Sequence, residues 1–221
     1  PLSCNPPKAV CKIKNLQTAL GGLQDKGAVI GVFGGGAAIS YTDTGAKATA
    51  TNAGSEMNLN NGYVVAAFGN GVALANREAE ANVKSTDKIT MNVNGAEVIG
   101  LFGNGIAGHR KGDHGGSALV EAIDSEMNIN NGSVDGVFGG GLAVQNLENN
   151  GAAQGTSKVI TSGTSTINVA SKVDKLTYGN LEGIFNKVGF GEHFKAVSEL
   201  AKDAAIVGGG VAAGNLSLIH I

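Results

Sequence analysis

Three copies of one eighteen-residue block run through this chain without a gap: MNLNNGYVVAAFGNGVAL from Met57, MNVNGAEVIGLFGNGIAG from Met91 and MNINNGSVDGVFGGGLAV from Met127. In each copy the Phe stands eleven positions after the Met, at Phe68, Phe102 and Phe138, and a Val stands seven after it, at Val64, Val98 and Val134. A fourth, weaker copy starts at Ile167 and is aligned so that Tyr178-Gly179-Asn180 falls in the Phe-Gly-Asn columns. The first copy, VIGVFGGGAAI around Phe33, keeps only the second half. Segments 75–90, 109–126 and 145–166 between the blocks differ in length and are polar, which reads as surface loops joining conserved units of a repeat array.

The residues within a block favour strands over helices. We read the Met, the aliphatic at the third place, the Val at the eighth, the Ala or Gly at the tenth and the Phe at the twelfth as one strand face. Asn58, Asn92 and Asn128 then lie between apolar positions, where stacked amides could hydrogen-bond from copy to copy. The triplets starting at Gly34, Gly69, Gly103 and Gly139 mark corners that admit only small residues or those tolerating a left-handed backbone. Two β architectures fit. An antiparallel meander would use Asn61-Gly62 and Asn131-Gly132 as hairpin turns. In the middle copy, however, the pair Asn94-Gly95 sits one place earlier with the Met-to-Phe distance unchanged, and a moved hairpin turn would flip the faces. A parallel β-solenoid with coils of about 34–36 residues tolerates the shift, because each column pairs with its own kind, and it is the expected fold.

The pattern changes towards the ends. Residues 7–20 place Val10, Ile13, Leu16 and Leu20 at helical spacing before Gly21-Gly22, so 1–22 is expected to be a helical cap ahead of solenoid repeats over 23–181. Residues 192–204 place Phe194, Val197, Leu200, Ala201 and Ala204 on one helical face, an expected helix inserted in a degenerate coil over 182–215. The last residues, 216–221, read LSLIHI and resemble translated adapter sequence, so no structure is expected from them. Cys4 and Cys11 are the two cysteines, spaced for a local disulfide in an oxidising compartment.

Composition narrows the function classes. A net charge of −2 offers no electrostatic footprint for nucleic acid or anionic lipid. Aromatic residues make up 5% of the chain and Trp is absent, which weighs against a large irregular enzyme core. Gly103-Asn104-Gly105-Ile106-Ala107-Gly108 matches the spacing of a dinucleotide-binding loop, but the charged run His109, Arg110, Lys111, Asp113, His114 follows where such a loop needs a helix. That run could offer two His and an Asp to a metal ion, and reads more simply as a solvated connection. Calcium is not expected, since these corners carry Asn or Gly where calcium-binding rolls carry Asp. Glu56 and Glu126 precede their Met residues and could stack on one face as paired carboxylates, yet the equivalents are Thr90 and Thr166. No catalytic residue, metal or cofactor is therefore expected.

The alternation of a VFGGG-type corner with a Ser-x-Met-Asn-Ile-Asn-Asn-Gly strand, as in Ser125 to Gly141, resembles the glycine-rich repeats in passenger regions of bacterial autotransporter-like surface proteins. The resemblance covers residues 27–181. It implies export, a β-helical stalk or adhesive surface, and a membrane-anchoring barrel beyond this stretch of chain. The expectation is a non-enzymatic structural or adhesive module at the cell surface, meeting a host surface, matrix or other cells through its solenoid face and loops. A polysaccharide-acting β-helix enzyme using carboxylates near Glu56, Glu97 and Glu126 is the rival, and a trimeric fibre segment the third reading.

Overall fold

A computed structural model describes residues 28–40, 45–109, 115–145, 155–174 and 205–213. The expected helices at 7–20 and 192–204, the Cys4–Cys11 pair and the 216–221 tail lie outside these residues. What is described is all-β, and every strand pairing in it is parallel. The chain winds as a β-solenoid of about four turns, which rules out the meander.

Successive coils deposit one strand in each of sheets II and III and one to three in sheet I. Sheet I takes β1 (Ala28–Phe33), β4 (Ser55–Leu59), β5 (Tyr63–Phe68), β8 (Ile89–Phe102), β11 (Ser125–Val134), β12 (Val137–Phe138), β15 (Ser165–Val169), β16 (Lys172–Val173) and β17 (Ile206–Val207). Sheet II runs β2 (Ala37–Ser40), β6 (Val72–Ala75), β9 (Ile106–His109), β13 (Leu142–Val144) and β18 (Val211–Ala213). Sheet III runs β3 (Lys47–Asn52), β7 (Glu80–Ser85), β10 (Ser117–Ala122) and β14 (Thr156–Thr161). Sheet III corrects the sequence reading, because its strands lie inside segments taken there for loops. Their inward positions carry small or β-branched residues at period two: Ala48 and Ala50, Ala81 and Val83, Ala118 and Val120, Ser157 and Val159.

Like residues stack on like. Met57, Met91, Met127 and Ile167 occupy one column, and Phe33, Phe68, Phe102, Phe138 and Val207 another. Val207 in that column corrects the fourth copy. Asp174 bonds through its N–H to Val134 and Ala205 through its carbonyl to Val137, so these two take the columns that the adjacent residues Asp135 and Gly136 hold in the coil before. Tyr178-Gly179-Asn180 lies outside the described residues, and Gly208-Gly209-Gly210 stacks at the corner.

The Met and Phe columns do not share a face. The third and eighth places of the block differ in parity, and a bend between them resets the alternation. It passes through Gly62, Gly95 and Gly132, whose φ values of 97°, 148° and 103° are ones an L side chain rarely adopts. Val64, Ala67, Met91, Val93, Ala96, Val98, Leu101, Met127 and Ile129 form one buried cluster inside the coil. Phe68, Phe102 and Phe138 join Val65, Ile99, Ile106 and Leu142 in a second cluster on the opposite side of the same strands. A Cβ placed on Gly100 would meet the Phe102 ring at 3.0 Å, whereas one on Gly103 would meet Met127 at 3.1 Å, so neighbouring positions point to the two clusters.

Each coil closes twice. The Ser55 hydroxyl donates to the Gly69 carbonyl at 2.7 Å, so the chain from Ser55 to Gly69 folds back on itself around the Met-lined core. Sheets II and III then enclose a narrower core of Ala38, Ala73, Ala75, Ala81, Val83, Ala107, Ala118 and Val120. Between the two cores lies a polar neck. The corner glycines meet there, and their requirement is close approach rather than a left-handed backbone: a Cβ on Gly105 would run into the Gly71 carbonyl oxygen, and one on Gly69 would stand 2.6 Å from that of Gly103.

Candidate functional site

Amide side chains organise both the neck and the outer face. In the neck, Asn70 and Asn104 are fully buried, a position Asn accepts only with its hydrogen bonds satisfied. Asn70 donates to Asn104 Oδ1 at 3.2 Å and to the Glu121 carbonyl at 2.8 Å, and accepts from Asn52 at 3.1 Å. Asn104 donates to the Ile160 carbonyl at 2.9 Å and to Thr161 Oγ1 at 3.1 Å, while its own Oδ1 receives the Gly105 N–H at 2.8 Å. Both corner asparagines therefore hold sheet I to the sheet III strand of the following coil.

On the outer face, Asn92 donates to Asn58, Asn128 to Asn92 and Asn168 to Asn128, at 2.9, 2.9 and 2.8 Å, all in the same sense. A second file runs two positions along, Asn94 to Asn60 at 3.1 Å and Asn130 to Asn94 at 2.9 Å. The coil spacing along these files is 34 to 40 residues. Beside them stand Glu56, Thr90, Glu126 and Thr166 in one column. Lys88 pairs with Glu126, and its hydrogen bond and charge hold that carboxyl below the usual carboxylate range.

The carboxylates proposed for acid–base chemistry do not form a single column. Glu56 and Glu126 flank Thr90, whereas Glu97 is in register with Tyr63 and Ser133. Near Glu97, burial raises the Asp135 carboxyl, with Asp174 and Glu97 adding repulsion, and burial and the charge of Asp135 raise the Tyr63 hydroxyl. His109, assigned to a charged connection in the sequence, instead ends β9 as a fully buried side chain whose Nε2–H donates to the Arg77 carbonyl at 2.8 Å. Arg110, Lys111, Asp113 and His114 lie outside the described residues. Among the described residues no three His, Cys, Asp or Glu side chains are grouped as a metal site requires.

The sequence placed the differences between coils in segments 75–90, 109–126 and 145–166, and the structure narrows them to one connection within each. Connections from sheet III back to sheet I are residues 53–54, 86–88, 123–124 and 162–164, two or three each. Those from sheet II to sheet III are 41–46, 76–79, 110–116 and 145–155, from four to eleven. Their anchors are neighbours in register: Ser40, Ala75 and His109 on one side, Lys47, Glu80, Ser117 and Thr156 on the other. Apart from the long stretch of chain between Asp174 and Ala205, length variation therefore falls on one edge of the stack.

Fold and files together define a parallel β-solenoid. No family model matches the chain, and none of the curated proteins or solved structures does so either.

Proposed function

We propose that this solenoid is a non-enzymatic structural and adhesive module displayed at a bacterial cell surface, and that it meets a host surface, matrix or neighbouring cells along its variable edge. The observation that carries this reading is the gathering of the sheet II to sheet III connections, four to eleven residues long, on one edge, beside hydrogen-bonded files that hold sheet I in register. A scaffold that holds its register while its loops change is suited to display. The resemblance of Ser125 to Gly141 to autotransporter passenger repeats points the same way and adds export as part of the proposal.

The test is to replace residues 110–116 and 145–155 with the four-residue connection 76–79 and measure adhesion of coated beads to cells and matrix. Loss of adhesion with an unchanged far-UV circular dichroism spectrum is expected. Undiminished adhesion would remove the edge from the proposal. The rival glycan-cleaving reading predicts chain scission of a polysaccharide that Glu97→Gln or Asp135→Asn abolishes, and such a result would replace the adhesive one.

A further inference from the structure

We propose that Asn131 is a site of self-modification, at which the Gly132 backbone nitrogen attacks the Asn131 side-chain carbon and converts the bend to an aspartyl or isoaspartyl linkage. The Gly132 N–H lies 2.9 Å from Asn131 Oδ1, which folds the side chain over the nitrogen that must reach Cγ. Gly132 has no side chain to obstruct closure, and Asn131 is exposed, so water and base have access. The pairing register shifts on both sides of Asn131, and the outer file passes through its neighbour Asn130 instead. Among the described residues none accepts a hydrogen bond from Asn131 Nδ2, leaving that nitrogen able to depart.

The chemistry balances without any outside oxidant or cofactor. Base removes the Gly132 amide proton, the nitrogen bonds to Cγ, and the Nδ2 group leaves as ammonia, closing a five-membered imide. One water then opens the imide at either carbonyl. Opening at one returns an ordinary aspartyl bond; opening at the other routes the main chain through the side-chain carbon and lengthens it by a methylene. Either product puts a new carboxylate beside the Asn94–Asn130 pair.

The same dipeptide recurs in other settings, which supplies internal controls. Asn104 also receives its own Gly N–H, at 2.8 Å, but is fully buried with its Nδ2 held by Ile160 and Thr161. Asn94 is exposed, yet its amide donates to Asn60 and accepts from Asn130. Asn70 is buried and bonded through both ends of its amide. Asn61 is exposed like Asn131 and should react next.

The experiment is to age the full chain at neutral and mildly alkaline pH, then map peptides by mass spectrometry with enzymatic isoaspartate labelling. Modification at Asn131 should rise with pH and outpace that at Asn104 and Asn94 by roughly tenfold or more, the factor expected where two hydrogen bonds must open first. In denaturing urea the differences should collapse, and Asn131→Gln should remove the native signal while leaving the circular dichroism spectrum unchanged. Native rates at Asn131 no higher than at Asn104 or Asn94 would overturn the proposal, as would a ranking that persists in urea.

Discussion

Removing the Phe102 ring tests the stack at its centre. The ring is fully buried between Phe68 and Phe138, with centroids 4.6 and 4.7 Å away and planes within 12° of parallel. Phe102→Ala deletes a whole buried ring, which costs about 3–5 kcal/mol in a site that collapses poorly. The strands on both sides are pinned in register through Gly100, Leu101 and Gly103, so the upper part of that range is expected. Phe33 offers the matched comparison. It stacks on a single neighbour at 5.2 Å and is 40% exposed, so Phe33→Ala should cost roughly 1–2 kcal/mol from its smaller buried area and one ring pair. Urea titration followed by far-UV circular dichroism, with the slope checked for constancy, measures both. Central and terminal losses equal within about 0.5 kcal/mol, the scatter of ordinary surface changes, would refute the buried stack.

Four further outcomes are expected. Gly105→Ala places a Cβ against the Gly71 carbonyl, and because that atom is backbone in a pinned strand the variant should fail to give the parallel-sheet spectrum, a result read by circular dichroism of the purified chain. Asn70→Ala strands the bonds to Asn52, Asn104 and Glu121 inside the neck and should cost about 2–4 kcal/mol in urea titration. Asn92→Ala breaks an outer file whose amides can turn to water, so its loss should stay near or below about 1 kcal/mol in the same assay. Because the folded state raises the Asp135 carboxyl above its unfolded value, its contribution is fully present at pH below the unfolded value and is lost as pH rises through the folded one. Asp135→Asn should therefore reduce the fall in melting temperature between about pH 4 and pH 7, the window above an ordinary Asp. An unchanged fall would show that burial and the neighbouring Asp174 and Glu97 do not act on that carboxyl.

Much of the solenoid was legible because a parallel stack repeats identities in columns. Met57, Met91 and Met127, and the asparagines after them, announce their own register, and the unmoved Met-to-Phe distance around Asn94-Gly95 favoured parallel coils over a hairpin. The face of the Phe column was misread because the parity mismatch between the third and eighth places, the mark of a bend that resets alternation, was passed over. Sheet III was hidden for a different reason. Its outward columns change identity from coil to coil, Lys47 to Glu80 to Ser117 to Thr156, and only its small inward residues repeat. The separation of Asp174 from Ala205 displaced the fourth alignment, since Tyr178-Gly179-Asn180 imitates the corner in sequence better than Val207-Gly208-Gly209 does. For the candidate site, Asn58, Asn92 and Asn128 were legible as a file. The variable segments were legible too, but their gathering on one edge and the bonds of the neck asparagines were not, because both depend on which segments of different coils become neighbours.

The neck asparagines also set how such a chain can grow or be shortened. Because Asn70 anchors to Glu121 and Asn104 to Ile160, these two coils each lend a corner to the next, like courses of brick laid with a half-overlap. A cut between coils would strand donors on one piece and acceptors on the other, so a lone turn excised from the middle should not hold its shape. Lengthening by duplication of an Asn-cornered coil meets no such obstacle, since every such turn brings both the donor it offers and the carbonyl it must supply.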